Sequence, residues 1–360
     1  MTDAATGLPA HATIGILGGG QLGRMLSVAA SRLGLRTHIY DPAPGPPAAD
    51  VAHALTTAPY DDAMALTAFA ASVDVITYEF ENIPTAALDL LERLKPIRPN
   101  RAALATSQDR LTEKAFLRSL GLLTAPFAAV TSAVDLDAAL ARIGTPSILK
   151  TTRLGYDGKG QIRLTTPACA ASALAAMNGA ACVLEGYIDF GLEVSVIAAR
   201  ALDGSVAAYD PGENVHRAGI LHTTTVPARL TPGQRSDAVL IAARILNALD
   251  YVGVIGVELF VTPAGLIVNE IAPRVHNSGH WTQNGCAVDQ FEQHIRAIAG
   301  WPLGDGSRHA DIRMENLIGD DILRVSDLAG QRDTALHLYG KPDARPGRKM
   351  GHVNRILRRS

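Results

Sequence analysis

The chain has 360 residues, of which 47% are hydrophobic, so its length suits about two or three domains rather than one ordinary core. Its 33 Lys and Arg against 35 Asp and Glu argue against a broad basic surface that would bind nucleic acid. No apolar run reaches the roughly 18 residues of a membrane span, and no charged-then-apolar leader opens the sequence. With three cysteines that form no disulfide framework, we expect a cytoplasmic protein without nucleic-acid or membrane partners.

The N-terminal part predicts a small doubly wound α/β layer. Residues 13–41 follow the pattern strand, glycine loop, apolar-spaced helix and second strand. "DVITYEF" predicts a further strand, and "IPTAALDLLERL" a further helix. A helical stretch over 100–121 then ends at Gly121, which is a plausible domain boundary.

The glycine turn "GGGQLG" superficially resembles a dinucleotide fingerprint. It stands between a strand and a helix, and Asp41 follows about twenty residues later. However, Asp41 runs directly into "PAPGPP", and a second glycine loop suited to phosphate occurs further along. A nicotinamide-dependent oxidoreductase is therefore a minor alternative.

The middle of the chain predicts antiparallel strands joined by a glycine loop. In "LGYDGKGQ", three glycines and Lys159 could close over phosphate oxygens, although such loops are also simple tight turns. Lys150 lies in the apolar strand "SILKTT" and needs an anionic partner if it points inward. Glu185 ends the apolar strand "CVLEGYI", and this motif alone favours a solvated carboxylate over a contact with adenine or ribose.

The hairpin over 253–274 carries two glutamates that can be placed by geometry. If its turn centres on "TPAG", Glu258 and Glu270 are opposite or nearly opposite, with Cβ atoms about 5 Å apart. Such a pair needs a cation, and paired hard oxygens suit Mg²⁺, with Asn277 as a possible third oxygen donor. The alternative is that one glutamate faces solvent while the other pairs with Arg274. The Gly- and Pro-rich tail then ends in the strand-like pieces "ALHLYG" and "KMGHVNRIL".

In order along the chain, these motifs resemble those of the ATP-grasp superfamily and, within it, the 5-(carboxyamino)imidazole ribonucleotide synthases. The resemblance covers nearly the whole chain, and "NEIAPRVHNSGHWTQNG" and "GYDGKGQ" are its most specific motifs. It implies an α/β and α+β fold. The implied parts are a Rossmann-like domain over 1–108, an ATP-grasp domain over 109–300 with a lid at about 122–183, and a segment over 301–360 that packs on the ATP-grasp core.

The resemblance also implies an activity. Members of the family use ATP and Mg²⁺ to carboxylate 5-aminoimidazole ribonucleotide with bicarbonate, through carboxyphosphate, in the de novo purine pathway to IMP. They are commonly homodimers. Another ATP-grasp carboxylase, or the formate-dependent glycinamide ribonucleotide transformylase, is the alternative. "HNSGHWTQNG" and "GRKMGH" favour the aminoimidazole substrate.

Site residues follow from the same resemblance, position by position. The metal ligands are Glu258 and Glu270. The nucleotide-binding residues are Arg110, Lys150, Gly155, Tyr156, Asp157, Gly158, Lys159, Gly160, Gln161, Glu185, Gly186, Tyr187, Ile188, Glu193, His216, Asn269 and Glu270. The ribonucleotide-binding residues are Gln21, Leu22, Glu79, Arg274, His276, Asn277, Arg348 and Lys349. Asp157, Tyr156 and Lys349 are the residues expected to act on the amine.

Overall fold

The computed structural model describes residues 7–155 and 159–359. The N-terminal layer is a parallel sheet in the order β3-β2-β1-β4, as the alternating strand and helix patterns predict. Buried Ile14 and Leu26 share one core with Ile298 and Trp281 from the C-terminal half of the chain. The elements of this layer are β1 (Thr13–Leu17), α1 (Gln21–Arg32), β2 (Arg36–Asp41), β3 (Ala54–Thr57), α2 (Ala63–Ala71), β4 (Val75–Tyr78) and α3 (Thr85–Glu92).

The helical stretch after this layer is broken into α4 (Arg101–Ser107) and α5 (Arg110–Ser119). Asp109 causes the break, because its carboxylate accepts hydrogen bonds from the N–H groups of Leu111 and Thr112, each at 3.1 Å. These are the free amides that open a helix, so the side chain starts a new helix there. The sequence analysis treated the stretch as one helical run.

A small antiparallel sheet follows, in the order β5-β8-β6-β7. Two helices cover one face of this sheet. Leu136, Leu149 and Leu184 are buried in the core between the helices and the sheet. The elements are β5 (Phe127–Val130), α6 (Ala133–Ile143), β6 (Ser147–Thr151), β7 (Gln161–Leu164), α7 (Ala170–Ala176) and β8 (Cys182–Gly186).

The large antiparallel sheet runs in the order β14-β13-β9-β11-β12-β15-β17-β16, with β10 beside β9. The predicted C-terminal strands thus join this sheet through β15, a strand that the sequence analysis did not find. The elements are β9 (Leu192–Arg200), β10 (Val206–Ala208), β11 (Gly212–Arg217), β12 (Ile220–Val226), α8 (Pro232–Ala248), β13 (Gly253–Thr262), β14 (Gly265–Ala272), α9 (Thr282–Gly285), α10 (Gln290–Ala299), β15 (Ala310–Ile318), α11 (Val325–Ala329), β16 (Thr334–Leu338) and β17 (Lys349–Arg359).

The cap at Asp109 gives a stability prediction. Asp109→Ala leaves two amides of α5 without their acceptor and is expected to lower the free energy of unfolding by about 1 kcal/mol. Asp109→Asn keeps an acceptor oxygen, so it should cost only a few tenths of a kcal/mol. Urea denaturation of both variants measures this. An equal loss in the two variants would assign the effect to the Arg153–Asp109 ion pair instead.

Candidate active site

A cavity of about 820 Å³ lies where the N-terminal layer, the small sheet and the large sheet meet. It collects predicted site residues from distant parts of the sequence. Those that line it are Gln21, Leu22, Glu79, Arg110, Lys150, Gly155, Lys159, Gln161, Glu193, His216, Glu258, Asn269, Glu270, Arg274, His276, Asn277 and Lys349.

Other predicted residues are not brought to the cavity wall or are not described. Tyr156, Asp157 and Gly158 lie outside the described residues. Arg348 donates from Nη1 to the carbonyl of Asp343 at 3.0 Å rather than lining the cavity. The remaining predicted residues that do not line it are Gly160, Glu185, Gly186, Tyr187 and Ile188.

The two hairpin glutamates are directly opposite each other. β13 and β14 pair with Glu258 facing Glu270, and the turn closes at Thr262 and Gly265. The register shifts by one residue next to Glu258, so Asn269 is the extra residue of a β-bulge. Without that bulge Glu258 would face Asn269, and the glutamates would point to opposite faces of the sheet. The predicted register is therefore confirmed, and both carboxylates face the same cavity.

The two carboxyl groups differ in their electrostatic surroundings. Burial, and then the charge of Glu270, raises the pKa of Glu258 well above its usual value. Burial also opposes ionisation of Glu270, but the charges of Arg110 and Lys150 outweigh it and lower the Glu270 pKa to about 2. Arg110 Nη1 is 3.1 Å from Glu270 Oε2. Glu270 thus has a cation beside it, whereas ionised Glu258 needs one.

These residues fit the predicted Mg²⁺ site. In the part of the chain that the structure describes, the oxygens of Glu258 have weak partners in Asn269 Nδ2 at 3.4 Å and His276 Nε2 at 3.6 Å. Among the described residues, no group of three or more His, Cys, Asp and Glu could hold a metal by itself. Paired carboxylates suit Mg²⁺, which keeps water ligands and shares its remaining positions with phosphate oxygens.

Asn277 does not fit its suggested part as a third oxygen donor. Its Nδ2 donates to Asn316 Oδ1 at 3.0 Å, and Asn316 Nδ2 donates back to Asn277 Oδ1 at 2.8 Å. This reciprocal amide pair occupies the oxygen that a metal would need.

A buried cluster of charges lies behind the nucleotide side of the cavity. The Glu185 carboxylate lies 2.9 Å from Lys150 Nζ and 3.3 Å from Lys114 Nζ, and all three side chains are buried. The motif of Glu185 favoured a solvent-exposed carboxylate, and that prediction is wrong. The anionic partner that Lys150 required is this carboxylate. Opposing burial, the two lysines lower the pKa of Glu185, which stays ionised.

Helix α5 supplies residues that the sequence analysis did not single out. Arg110, Glu113 and Lys114 are three and four positions apart, so they share one face of the helix. Glu113 accepts a hydrogen bond from the N–H of Ile271 at 2.7 Å, which fixes α5 to the strand that carries Glu270. The charged spacing within "DRLTEK" was the signal that could have identified Glu113 and Lys114.

The glycine turn of the N-terminal layer does not offer its amides to a pyrophosphate. The N–H of Gly19 donates to Asp41 Oδ2 at 2.6 Å, and the N–H of Gly20 donates to Glu79 Oε1 at 2.7 Å. In a dinucleotide site the phosphates would need those donors. The fingerprint is therefore occupied by carboxylates, and the oxidoreductase alternative loses its structural basis.

On the remaining side of the cavity, a polar residue that follows β4 of the N-terminal layer pairs with one that follows β14 of the large sheet. Arg274 Nε lies 2.9 Å from Glu81 Oε1, so its partner is neither of the hairpin glutamates. His276 is held through Nδ1 by Ser278 Oγ at 2.8 Å, and burial followed by the charge of Arg274 lowers its pKa to about 3. A neutral His276 thus lies next to Glu258. Glu81 was missed because nothing in "YEFEN" separates it from Glu79.

His216 and Glu193 form a further pair on adjacent strands. His216 Nδ1 lies 3.2 Å from Glu193 Oε1, and both residues line the cavity.

Across the whole described part of the chain, no helix is long and apolar enough to cross a bilayer.

The fold and the cavity define the class of protein. Two antiparallel sheets enclose paired carboxylates and buried cations, next to a parallel α/β layer. The ATP-grasp domain model matches residues 115–291, and the ribonucleotide synthetase preATP-grasp domain model matches 11–108. The phosphoribosylaminoimidazole carboxylase C-terminal domain model matches 313–359. The chain is an ATP-grasp protein, and the predicted fold class is confirmed.

Relatives that match over almost the whole chain identify the family. N5-carboxyaminoimidazole ribonucleotide synthase of Brucella melitensis biotype 1 is 54% identical over 360 residues, which is 99% of each chain. The Staphylococcus aureus N5-carboxyaminoimidazole synthetase structure complexed with ADP is 37% identical, with a TM-score of 0.94 over 98% of this chain and 95% of that chain. The Aspergillus clavatus synthase in complex with ADP and 5-aminoimidazole ribonucleotide is 30% identical, with a TM-score of 0.91 over 96% and 94%.

The chain belongs to the N5-carboxyaminoimidazole ribonucleotide synthase family, also written 5-(carboxyamino)imidazole ribonucleotide synthase. The prediction of an ATP-dependent carbon–nitrogen ligase is therefore confirmed.

Glu113 gives a prediction about pH and stability in the absence of ligands. Burial, and then the charge of Glu270, raises its pKa from 4.5 to about 8. Between these values the native protein holds a proton that the unfolded chain releases. Stability should therefore fall as pH rises, by about 1.4 kcal/mol per pH unit. Glu113→Gln keeps an acceptor for Ile271 and removes this dependence.

The measurement is urea denaturation of both proteins from pH 5 to 9. The free energy of unfolding of Glu113→Gln relative to that of the wild type should increase with pH up to about pH 8. Above that pH the difference between the two proteins should be constant. Glu92→Gln, at an exposed position, is the matched control. A pH-independent difference between Glu113→Gln and the wild type would show that Glu113 is ionised throughout this range.

Proposed function

We propose that this chain carries out the reaction for which its family is named, the ATP-dependent carboxylation of 5-aminoimidazole ribonucleotide in purine biosynthesis. The observation that carries this is the opposed Glu258–Glu270 pair, which lines one cavity between two groups of polar residues. Arg110 and Lys150 are on one side of the pair, and Arg274 and Lys349 on the other. Bicarbonate is the proposed carbon source, and ADP and phosphate are the other products.

The first group of residues suits the nucleotide. Arg110 and Lys150 are paired with Glu270 and Glu185, respectively, so each can exchange a carboxylate for a phosphate without leaving the cavity. The loop from Gly155 to Gln161 is proposed to cover the phosphates with its backbone amides. Residues 185–188 do not line the described cavity. They are proposed, on the family resemblance, to contact adenine at its margin through their backbone, because the Glu185 carboxylate is already bound to lysines.

Other residues complete the proposed nucleotide and metal sites. Glu193 would accept hydrogen bonds from the ribose hydroxyls, with His216 and Asn269 beside it. Glu258 and Glu270 would hold Mg²⁺. When bound, the ion supplies positive charge to the phosphate oxygens. These roles are supported by the family motifs and by the position of the residues on the cavity wall.

The ribonucleotide is proposed to lie on the opposite side. Arg274 and Lys349 offer positive charge for its 5′-phosphate, and Gln21, Leu22 and Glu79 come from the glycine turn and the strand beside it. Arg348, whose Nη1 donates to the Asp343 carbonyl, would have to leave that bond to add its charge. His276 and Asn277 would face the aminoimidazole. Neutral His276 can donate or accept a hydrogen bond there without adding charge.

The proposed reaction has two steps. An oxygen of bicarbonate attacks the γ-phosphorus of ATP, so that ADP leaves and carboxyphosphate forms. The exocyclic amine of the ribonucleotide then attacks the carbon, directly or after carbon dioxide is released, while phosphate departs and the amine loses a proton. Phosphoryl transfer of this kind needs alignment and charge neutralisation rather than a protein nucleophile. The loop over residues 155–161 is proposed to exclude water.

The proton is proposed to go to Asp157, next to Tyr156, and Lys349 is proposed as the third residue that acts in the reaction. A carboxylate placed on the loop that covers the phosphates would approach the amine only when nucleotide is bound.

The predicted homodimer also stays a proposal, which rests on the family resemblance and is tested by sedimentation. The predicted cytoplasmic location likewise stays a proposal.

Glu270→Gln tests the metal site. Gln keeps the shape but removes one of two opposed negative charges, so Mg²⁺-dependent ADP formation should fall at least about 100-fold. ADP release is measured over a Mg²⁺ titration with bicarbonate and the aminoimidazole ribonucleotide present. Glu92→Gln, which removes an exposed charge, should match the wild type. An unchanged Mg²⁺ titration in Glu270→Gln would remove the carboxylate pair from the mechanism.

Asp157→Asn tests the proton acceptor. Carboxylation should fall about 100-fold or more because the amide cannot take the proton, while the Kd for MgATP stays within about twofold. Product is measured with labelled bicarbonate, and MgATP binding by calorimetry. Asp237→Asn, at an exposed position on α8, is the control. Normal carboxylation in Asp157→Asn would assign the proton to another group.

The assay of ADP release also separates this activity from the alternative ATP-grasp activities. ADP release that requires formate and glycinamide ribonucleotide, rather than bicarbonate and the aminoimidazole ribonucleotide, would identify the transformylase activity instead.

A further inference from the structure

The second half of "NEIAPRVHNSGHWTQNG" does not line the cavity. Residues 280–285 lie behind it and contact β16 and β17, the C-terminal strands. We call the side chains of Gln283, Asn284, His352 and Asn354 the rear polar layer. Ligand binding does not account for these four residues, so the reason for their polarity has to be found in what they hold together.

His352, on β17, bonds to the run through Nε2 and to Tyr339, which precedes β17, through Nδ1. Its Nε2 lies 2.9 Å from Gln283 Oε1, and its Nδ1 lies 2.8 Å from Tyr339 Oη. Because the Gln283 oxygen only accepts, the Nε2–H donates to it, and Nδ1 accepts from the Tyr339 hydroxyl. A neutral imidazole satisfies both bonds, and burial lowers the pKa of His352 well below its usual value. His337 stacks on His352 with ring centroids 4.5 Å apart.

Asn354 and Asn284 make a second connection. Asn354 Nδ2 donates to the carbonyl of His280 at 3.0 Å and to Asn284 Oδ1 at 2.8 Å. The same Asn284 oxygen lies 2.8 Å from His337 Nε2. His352 and Asn354 are fully buried, so water cannot replace a partner that is removed.

These bonds join two segments that both reach the cavity. β17 begins at Lys349, three residues before His352, and Lys349 lines the cavity. The run reaches the cavity through His276, whose backbone N–H donates to Gln290 Oε1 at 2.9 Å and whose carbonyl accepts from Gln290 Nε2 at 2.7 Å. The rear polar layer is therefore one connection between the strand of Lys349 and the fixed segment of His276, in addition to the Asn277–Asn316 amide pair, which reaches β17 through β15.

We propose that Gln283, Asn284, His352 and Asn354 are positioning residues that set the place of Lys349 relative to His276 in the ribonucleotide site. This inference rests on the proposed function, because it takes Lys349 to act on the ribonucleotide. It assigns the second half of the run a part in the reaction without contact with any substrate.

Gln283→Met tests the proposal, since Met fills similar space but is only a weak hydrogen-bond acceptor for His352. The KM for the aminoimidazole ribonucleotide should rise, or kcat fall, about tenfold. The KM for ATP should stay within about twofold, because the nucleotide side is held by other residues. Gln331→Met, at an exposed position near β16, is the matched control and should change neither.

A double-mutant cycle with Lys349→Met separates positioning from general packing. If Gln283 acts through Lys349, adding Gln283→Met to Lys349→Met should cost less than about twofold. Equal losses in both backgrounds would overturn the proposal, as would an equal rise in the KM for ATP. Tyr339→Phe removes only the hydroxyl that donates to His352, and it should show the same dependence on Lys349 if Gln283→Met does not fold.

The variants also distinguish failure of the positioning role from failure of the proposed function. Full activity of Lys349→Met alone would refute the role of Lys349 and, with it, this inference. A wild-type protein that does not carboxylate the ribonucleotide would refute the proposed function itself. Additive losses in an otherwise active set of variants would refute the positioning role alone.

Discussion

The site depends on two carboxylates that are held opposite each other in a buried hairpin. Two like charges about 5 Å apart repel, and burial makes ionisation of Glu258 costly, so two ionised carboxylates are unfavourable there without a nearby cation. The bulge at Asn269 makes this arrangement possible, because it shifts the register by one residue and turns both side chains to one face. Strand pairing on either side of the bulge holds the pair in place. A cation can relieve this repulsion, and the stable sheet keeps the site ready to bind one.

The cations around the pair are arranged by the same principle. Arg110 is paired with Glu270, and Lys150 and Lys114 are paired with Glu185. Burying these charges singly would cost much more than burying them together, so each charge is neutralised by a neighbour. A triphosphate therefore gains only the difference between its contacts and the ion pairs that it replaces. Helix α5 contributes two of these charged residues, Arg110 and Lys114, which makes its start at Asp109 part of the site geometry.

Local patterns were enough to predict the hairpin and its turn, the α/β layer and the need of Lys150 for an anion, but not the bulge that puts Glu258 directly opposite Glu270. The identity of that anion could not be predicted, because Glu185 meets Lys150 only when β6 pairs with β8 across 35 positions of sequence. For the same reason the solvated Glu185 was wrong, since the end of a strand looks exposed until another element covers it. Asn277 shows a similar limit: its amide is satisfied by Asn316, which lies in the unpredicted strand β15.

The run from Asn269 to Gly285 shows why polar residues in a specific motif need not all touch the ligand. Its first half supplies groups to the cavity, whereas His280, Gln283 and Asn284 meet the buried face of β17. A buried amide or imidazole stabilises one arrangement only, because each unmade hydrogen bond costs free energy that an apolar side chain would not lose. Polar groups therefore fix the position of a strand more strictly than apolar packing of the same area. The proposed contact of Lys349, at the start of β17, with the ribonucleotide would require that strictness.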